Sequence, residues 1–172
     1  MQLTQLVIEA LAFIFPAYCA NAVPVIAGGG LPLDFGKSFL DGKPIFGKNK
    51  TLRGFLFGLG VGTVVGFAES VFLSESVFFD YPSTFGILLS LGALSGDLAA
   101  AFVKRRLGFA PGDLLPIVDQ TSFMIGAILF SLPIAIESLS LEIIVTVLIL
   151  TPPIHLLTNF VAYKLGLKSN PW

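Results

Sequence analysis

Charged residues are scarce in this sequence. Asp, Glu, Lys and Arg together make up 12% of the 172 residues, whereas apolar residues make up 55%. Since a soluble domain carries about 25% charged residues, this composition excludes an ordinary soluble domain and a disordered chain. A single cysteine, Cys19, excludes a disulfide framework and a metal site built from several cysteines. A single histidine, His155, without a partner Ser or Cys motif argues against a catalytic-triad hydrolase.

The apolar residues are concentrated in five runs of about bilayer length. Because about 20 residues cross the hydrocarbon core as a helix, we predict an all-α integral membrane protein, a bundle of about five transmembrane helices. We expect a single polytopic domain over residues 1–172. The predicted spans are 3–27, 54–73, 84–103, 114–132 and 143–163, and the two larger loops are 28–53 and 104–113.

The basic residues indicate how the chain is oriented. All ten Lys and Arg residues fall in the first loop, the third loop or the C-terminal tail. The charged residues of the second and fourth loops are all acidic, namely Glu75, Asp80, Glu137 and Glu142. The positive-inside rule therefore predicts two cytoplasmic loops, with the N-terminus outside and the C-terminus cytoplasmic. We interpret Lys164 and Lys168 in the tail as part of this topology signal.

Small residues recur at four-residue spacing in the second and third spans. The second span carries Gly54, Gly58, Gly62 and Gly66, and the third carries Gly92, Gly96 and Ala100. Such a face allows helices to approach closely in a membrane. We therefore expect these two spans to lie in the middle of the bundle.

Three aspartates stand out near the third and fourth spans. Acidic residues within apolar runs are costly and often functional. Asp97 lies seven residues before Lys104, so both occupy one helix face. Asp113 and Asp119 follow, although Asp119 alone could equally be a helix N-cap. We predict that the three carboxylates converge on a cytoplasm-facing cavity, where hard oxygen ligands suit Mg²⁺.

The first loop is rich in glycine and ends in a cationic segment. Residues 28–54 contain seven glycines, and Lys50, Thr51 and Arg53 stand at the predicted start of the second helix. Backbone amides of glycine turns, a helix N-terminus and nearby cations together favour polyphosphate. No P-loop motif is present, so the phosphate prediction depends on this loop and on Lys104 and Arg105.

These motifs resemble a known family. The stretch formed by Gly96-Asp97-Leu98, Lys104-Arg105-Arg106, Gly112-Asp113, Pro116 and Asp119-Gln120 is similar to the signature of membrane CTP:phosphatidate cytidylyltransferases. The shorter chain and the first loop resemble the archaeal branch, the CDP-archaeol synthases, through Pro16, Tyr18, Asn21, Pro24, Asp34, Gly36, Asp41-Gly42, Phe46-Gly47 and Lys50-Thr51-x-Arg53-Gly54. The sequence departs from the signature at Ser122, where a second aspartate is expected.

The resemblance implies a Mg²⁺-dependent cell-membrane enzyme with its active site facing the cytoplasm. It would transfer CMP from CTP to 2,3-bis-O-(geranylgeranyl)-sn-glycerol 1-phosphate, an unsaturated isoprenoid ether lipid, giving CDP-archaeol and pyrophosphate. The implied catalytic residues are Asp97, Lys104 and Asp119. The implied substrate-binding residues are Asn21, Lys50, Thr51, Arg53, Lys104, Arg105 and Asp113. The implied metal ligands are Asp97, Asp113 and Asp119.

The expected partners are CTP, the lipid and the membrane, with no nucleic acid, and a homo-oligomer is left open. Two other functions compete: a small anion or phosphate transporter and another lipid-phosphate transferase. The absence of Lys and Arg from the second and fourth loops disfavours a transport route across the membrane. The D-x-x-D-G motif of phosphoalcohol transferases is absent.

Overall fold

The fold is a bundle of long helices, as the apolar runs predict. The computed structural model describes residues 2–73, 82–135 and 139–172. These residues form five helices: α1 Leu3–Ala27, α2 Leu52–Phe72, α3 Phe85–Arg106, α4 Val118–Ala135 and α5 Leu141–Lys164. Each is long and apolar enough to cross a membrane. The all-α architecture with five spans is confirmed, while the predicted acidic loop residues Glu75, Asp80 and Glu137 lie outside the described residues.

Two helix ends differ from the predicted spans and bear on the site. Helix α3 continues to Arg106, so Lys104 lies in its last turn instead of in a loop. Positive charge at a helix C-terminus interacts favourably with the helix dipole. Helix α4 begins at Val118, four residues later than predicted. Pro116 disfavours a helical residue before it, and Ile117 adopts a φ of 68°.

Helices α1 and α3 form the centre of the bundle. Among the described residues, α1 packs against all four other helices, whereas α2 packs only against α1 and α3. The prediction that α3 is central is therefore correct, but α1 takes the central place that was expected of α2. The buried residues Phe13 and Ile14 of α1 and Leu89 of α3 lie in the same core cluster as Phe123 and Met124 of α4.

The small-residue faces act as the spacing predicts, by close packing. A Cβ added to Gly62 of α2 would lie 2.1 Å from Ser90 Oγ, and one added to Gly92 of α3 would lie 2.4 Å from the Gly126 carbonyl oxygen. Both distances are too short for any side chain. Gly96 is equally close to the backbone of α4, where an added Cβ would lie 2.2 Å from the Ser122 carbonyl oxygen. Glycine at these positions therefore lets α3 approach α2 and α4 closely.

Candidate active site

A polar cavity of about 530 Å³ lies where the first loop, the end of α3, the start of α4 and the C-terminal segment meet. Eight of the nine predicted site residues line it: Asn21, Lys50, Thr51, Asp97, Lys104, Arg105, Asp113 and Asp119. The topology brings them together because the first loop leads into the start of α2, and the loop after α3 leads into the start of α4.

Lys50 and Asp97 form an ion pair across the cavity. The Lys50 Nζ atom lies 2.5 Å from Asp97 Oδ2, and each side chain is about one-third exposed, at 30% and 32%. Two loop contacts position Lys50: its N–H donates to the Gly47 carbonyl (3.1 Å), and its carbonyl accepts from the N–H of Leu33 (2.7 Å). The next residue, Thr51, caps α2 by accepting from the Gly54 N–H. Both charges of the pair therefore face the cavity and remain accessible to an ionic ligand.

Lys104 and Asp119 form a second, more buried pair. The Lys104 side chain is buried, and its Nζ donates to both Asp119 oxygens, at 3.0 and 2.7 Å. It also donates to the main-chain carbonyl of Asp113. Asp119 is therefore not a simple N-cap of α4: it accepts from Lys104 and from the Leu115 N–H, 2.8 Å away. These contacts hold the end of α3 against the start of α4.

Arg105 presents guanidinium donors that no described protein group satisfies. Its side chain is 5% exposed, and Nη2 donates to the Ala110 carbonyl at 3.1 Å. Within the described part of the chain, Nε and Nη1 have no hydrogen-bond partner. Buried donors normally have an acceptor, and a guanidinium keeps its charge and its forked donors at any physiological pH. An anion with several oxygens would satisfy this geometry.

Arg53 is the predicted site residue that does not line the cavity. Its Nε donates to the Ala27 carbonyl at 2.8 Å, and its Nη2 donates to the Gly28 carbonyl. The exposed guanidinium thus satisfies carbonyls at the end of α1, where a cation interacts favourably with the helix dipole. Arg53 therefore joins α1 to α2 through these carbonyls, and its predicted contact with phosphate stays a prediction.

Asp34 organises the first loop behind the cavity. Its carboxylate is buried and accepts three backbone hydrogen bonds, from Gly36 (3.0 Å), Phe46 (2.9 Å) and Gly47 (2.8 Å). Burial acts to raise the pKa of Asp34, but these hydrogen bonds outweigh it and hold the pKa below its usual value. Because Gly47 in turn bonds Lys50, Asp34 indirectly positions the Lys50 ammonium.

Lys168, which the sequence motifs did not indicate as a site residue, lines the polar cavity. Burial lowers the pKa of Lys168, and the charges of Lys50 and Lys104 lower it further, while Asp119 and Asp97 oppose this change. Lys168 therefore belongs to the same electrostatic cluster as both ion pairs. The interpretation of Lys168 as a topology signal alone was incomplete. Lys168 lies far from the motifs along the chain, so the sequence does not indicate that it reaches the cavity.

A second cavity, of about 350 Å³, adjoins the first between α1, α4 and α5. Its walls are mostly apolar and include Phe15, Val25 and Ile154. His155 and Asn159 of α5 line both cavities. The His155 ring stacks on Phe123, with centroids 5.7 Å apart, so this boundary is rigidly packed on one side. A ligand with a polar head and an apolar tail could occupy both cavities at once.

The carboxylates suit a metal by chemistry but do not form a ready ligand set. No group of three His, Cys, Asp or Glu residues is placed to hold a metal ion within residues 2–73, 82–135 and 139–172. Asp97 and Asp119 instead pair with lysines, and Asp113 accepts from the Ala110 N–H at 2.6 Å. Mg²⁺ commonly takes only one or two protein carboxylates and completes its shell with water and substrate phosphates. The residues present fit such a site.

Comparison with known proteins identifies the family. The family model of CarS-like CDP-archaeol synthases matches residues 3–172. The chain belongs to this family. The CDP-archaeol synthase of Methanococcus aeolicus is 43% identical over the full length of both chains. That of Pyrococcus furiosus is 44% identical over 96% of this chain and 98% of its own.

A solved structure of an intramembrane enzyme for archaeal membrane lipid biosynthesis is similar to this chain in both fold and sequence. The TM-score is 0.78 and the identity 34%, over 89% of this chain and 94% of the other. The resemblance noted from the motifs is thereby confirmed. With five apolar helices, this member of the family is a multi-pass membrane protein.

Proposed function

We propose that the chain synthesises CDP-archaeol by CTP-dependent transfer of CMP to the phosphate of 2,3-bis-O-(geranylgeranyl)-sn-glycerol 1-phosphate. The observation that carries the proposal is the junction of the two cavities. A cationic cavity with a buried guanidinium, two of whose nitrogens have no partner among the described residues, suits phosphates, and the adjoining apolar cavity suits an isoprenoid chain. Family membership supports the same activity.

The reaction requires charge neutralisation more than proton transfer. A phosphate oxygen of the lipid attacks the α-phosphorus of CTP and forms a new P–O bond. The bond from the α-phosphorus to the bridging oxygen breaks, and pyrophosphate leaves with the electron pair. Because the attacking phosphate is already ionised at neutral pH, no strong general base is needed. The main barrier is repulsion between two anions, which fixed cations lower by electrostatic stabilisation.

The chain supplies those cations at different depths. Arg105 offers two free donors to phosphate oxygens, and Lys50 offers an ammonium that Asp97 holds at the cavity wall. Lys104 is saturated by Asp119 and Asp113. Its contribution is therefore positive potential and the positioning of Asp119, with direct phosphate contact only if these bonds exchange. Thr51 and Asn21 line the same wall and complete the proposed substrate site.

We propose Mg²⁺ as the metal, held by one or two of the three predicted carboxylates, Asp97, Asp119 and Asp113, with water and substrate phosphates completing its shell. When bound, the metal would neutralise phosphate charge and align the reacting groups. Asp97 is exposed to the cavity, so its carboxylate could bind a cation while the Lys50 ammonium turns to a phosphate. The Asp113 carboxylate already accepts from Ala110 through Oδ2, which leaves Oδ1 for a ligand.

The lipid is proposed to enter sideways from the bilayer. Its chain would occupy the apolar cavity between α1, α4 and α5, and its head would pass His155 and Asn159 into the polar cavity. The positive-inside rule places this end of the bundle in the cytoplasm. The site would then face the cytoplasm, with the N-terminus outside and the C-terminus inside.

Pyrophosphate release in mixed micelles tests the activity, with CTP and the ether lipid phosphate as substrates. We expect release to require both substrates, and we expect Arg105→Lys to lower kcat/KM about tenfold to hundredfold, since a lost charged hydrogen bond costs about 1.5–3 kcal/mol. Lys37→Arg, at an exposed loop position, is the control for insertion and folding. Phosphate flux into proteoliposomes without pyrophosphate release would instead indicate a transporter and refute the proposal.

A separate variant tests the lipid cavity. Ala162 lines only the apolar cavity, so Ala162→Phe should fill it and raise KM for the lipid while leaving KM for CTP unchanged. An equal change in both constants would contradict the assignment of this cavity to the lipid chain.

A further inference from the structure

The C-terminal segment 165–172 turns back from α5 towards the polar cavity. Gly166 has a φ of 73°, a left-handed conformation that glycine adopts without steric cost. The Gly166 N–H donates to the Tyr163 carbonyl and the Leu167 N–H to the Ala162 carbonyl, at 3.0 and 2.9 Å. These two bonds form a Schellman motif, which ends the helix and reverses the chain. The turn brings Lys168, four residues beyond α5, to the wall of the cavity.

The returning segment is held in place by its far end. Trp172 Nε1 donates to the Gly112 carbonyl at 3.3 Å, next to the proposed ligand Asp113. Asn170 approaches the same carbonyl at 3.5 Å. The Lys168 Nζ donates to the main-chain oxygen of Trp172 at 2.5 Å. One of the three ammonium donors is thus used within the segment, and two remain for a ligand in the cavity.

The charges around Lys168 leave an anion site open. Lys50, Lys104 and Lys168 are the lysines among the described residues that line the cavity and are at least partly buried. Lys50 pairs with Asp97 and Lys104 with Asp119, but no described Asp or Glu side chain lies within 4 Å of the Lys168 ammonium, whose partner is the main-chain oxygen of Trp172. A phosphate between these cations would reduce their mutual repulsion and offset the cost of partly burying Lys168.

We propose that Lys168 is a substrate-binding residue, which the C-terminal segment brings into the active site to contact a phosphate oxygen. This inference rests on the proposed function, since the anion is then a phosphate of CTP or of the lipid. Both present the same chemistry to an ammonium, so the measurement must distinguish them. The segment 165–172, which follows the last transmembrane helix, thereby becomes part of the substrate site.

Steady-state kinetics of Lys168→Gln, with each substrate varied in turn, test the inference. We expect about a tenfold to hundredfold rise in one KM, as for a lost charged hydrogen bond, with kcat changed much less. A raised KM for CTP assigns the contact to the triphosphate, and a raised KM for the lipid assigns it to the lipid phosphate. Lys168→Arg should restore most of the affinity because it keeps the positive charge. Lys164→Gln is the matched control, since this exposed lysine lies over the Phe160 ring and does not line the cavity.

Three outcomes would overturn the inference. The first is that Lys168→Gln keeps both KM values within twofold, as the control does. The second is that Lys168→Arg and Lys168→Gln are equally impaired, which would indicate packing instead of charge. The third is a loss of kcat and thermal stability without a rise in KM. Arg105→Lys in the same assay separates the hypotheses: if it also keeps both KM values, the proposed phosphate site itself is wrong.

Discussion

Asp34 lies outside the cavity, yet its replacement should weaken substrate binding. Its carboxylate accepts three backbone N–H groups of the first loop. In Asp34→Ala all three N–H groups lose their acceptor. The Gly47 N–H is buried, so water does not easily replace the lost carboxylate there. Hydrogen bonds to charged groups contribute about 1.5–3 kcal/mol each. Water can satisfy the two partly buried donors, so we expect a total loss of about 3 kcal/mol.

The conservative variant Asp34→Asn should lose about half of this stabilisation. In Asp34→Asn the amide oxygen can take the place of Oδ2 and retain the bonds from Phe46 and Gly47, but the amide nitrogen then faces the Gly36 N–H. We expect a loss of about 1.5 kcal/mol. If the ordered loop is what positions Lys50, kcat/KM should fall about tenfold in the asparagine variant and about a hundredfold in the alanine variant, at about 1.4 kcal/mol per factor of ten.

The pH dependence provides an independent check. The pKa of Asp34 lies below its usual value in the folded protein. The ionised carboxylate therefore stabilises the loop at any pH above the unfolded pKa of about 3.9, and this stabilisation is lost as pH falls through the lower folded pKa. From pH 8 to 5 the wild type and Asp34→Asn should differ by a constant amount. Below about pH 4 the difference should shrink.

The assay is thermal unfolding in detergent together with CTP-dependent pyrophosphate release, and Asp41→Asn is the control. Asp41 also accepts a backbone bond, from Lys43 at 3.1 Å, but at the exposed tip of the loop. Two results would refute the argument that Asp34 positions Lys50. One is a wild-type kcat/KM in Asp34→Ala, and the other is an equal change of kcat/KM in Asp34→Asn and Asp41→Asn.

Three further predictions concern the cavity and the orientation. Asp97→Asn should abolish the Mg²⁺-dependent turnover while the protein still folds. Near-normal metal-dependent turnover would exclude Asp97 as a ligand. Lys104→Met should lower the thermal midpoint, because breaking a buried ion pair costs about 3–5 kcal/mol, and an unchanged midpoint would contradict the burial of this pair. In a Cys19→Ser background, Leu141→Cys should react with an impermeant thiol reagent from outside the cell and Leu40→Cys should not, and the reverse labelling would refute the orientation.

The spans, and the residues that meet at the polar cavity, are largely indicated by the sequence by itself. A run of about 20 apolar residues has little choice in a bilayer, since a helix satisfies every backbone group within the segment. Asp97, Lys104 and Asp119 stood out as candidates because charge within or beside an apolar run is costly, and Lys50 stood out because it lies in the cationic segment just before α2. Most of the predicted cavity residues lie at or next to helix ends on the same side of the bundle.

Other features depend on contacts between distant parts of the chain, which local pattern does not contain. Arg53 and Arg105 look equivalent in sequence, but Arg53 bonds carbonyls at the end of α1, while Arg105 lines the cavity and has donors without a partner among the described residues. Glycine spacing predicted close packing correctly but could not show that α1, instead of α2, is central. Lys168 resembled a topology signal until the turn at Gly166 returned it to the cavity. Tertiary structure determined these three outcomes, because each depends on which groups meet in space and not on the type of residue or its neighbours along the chain.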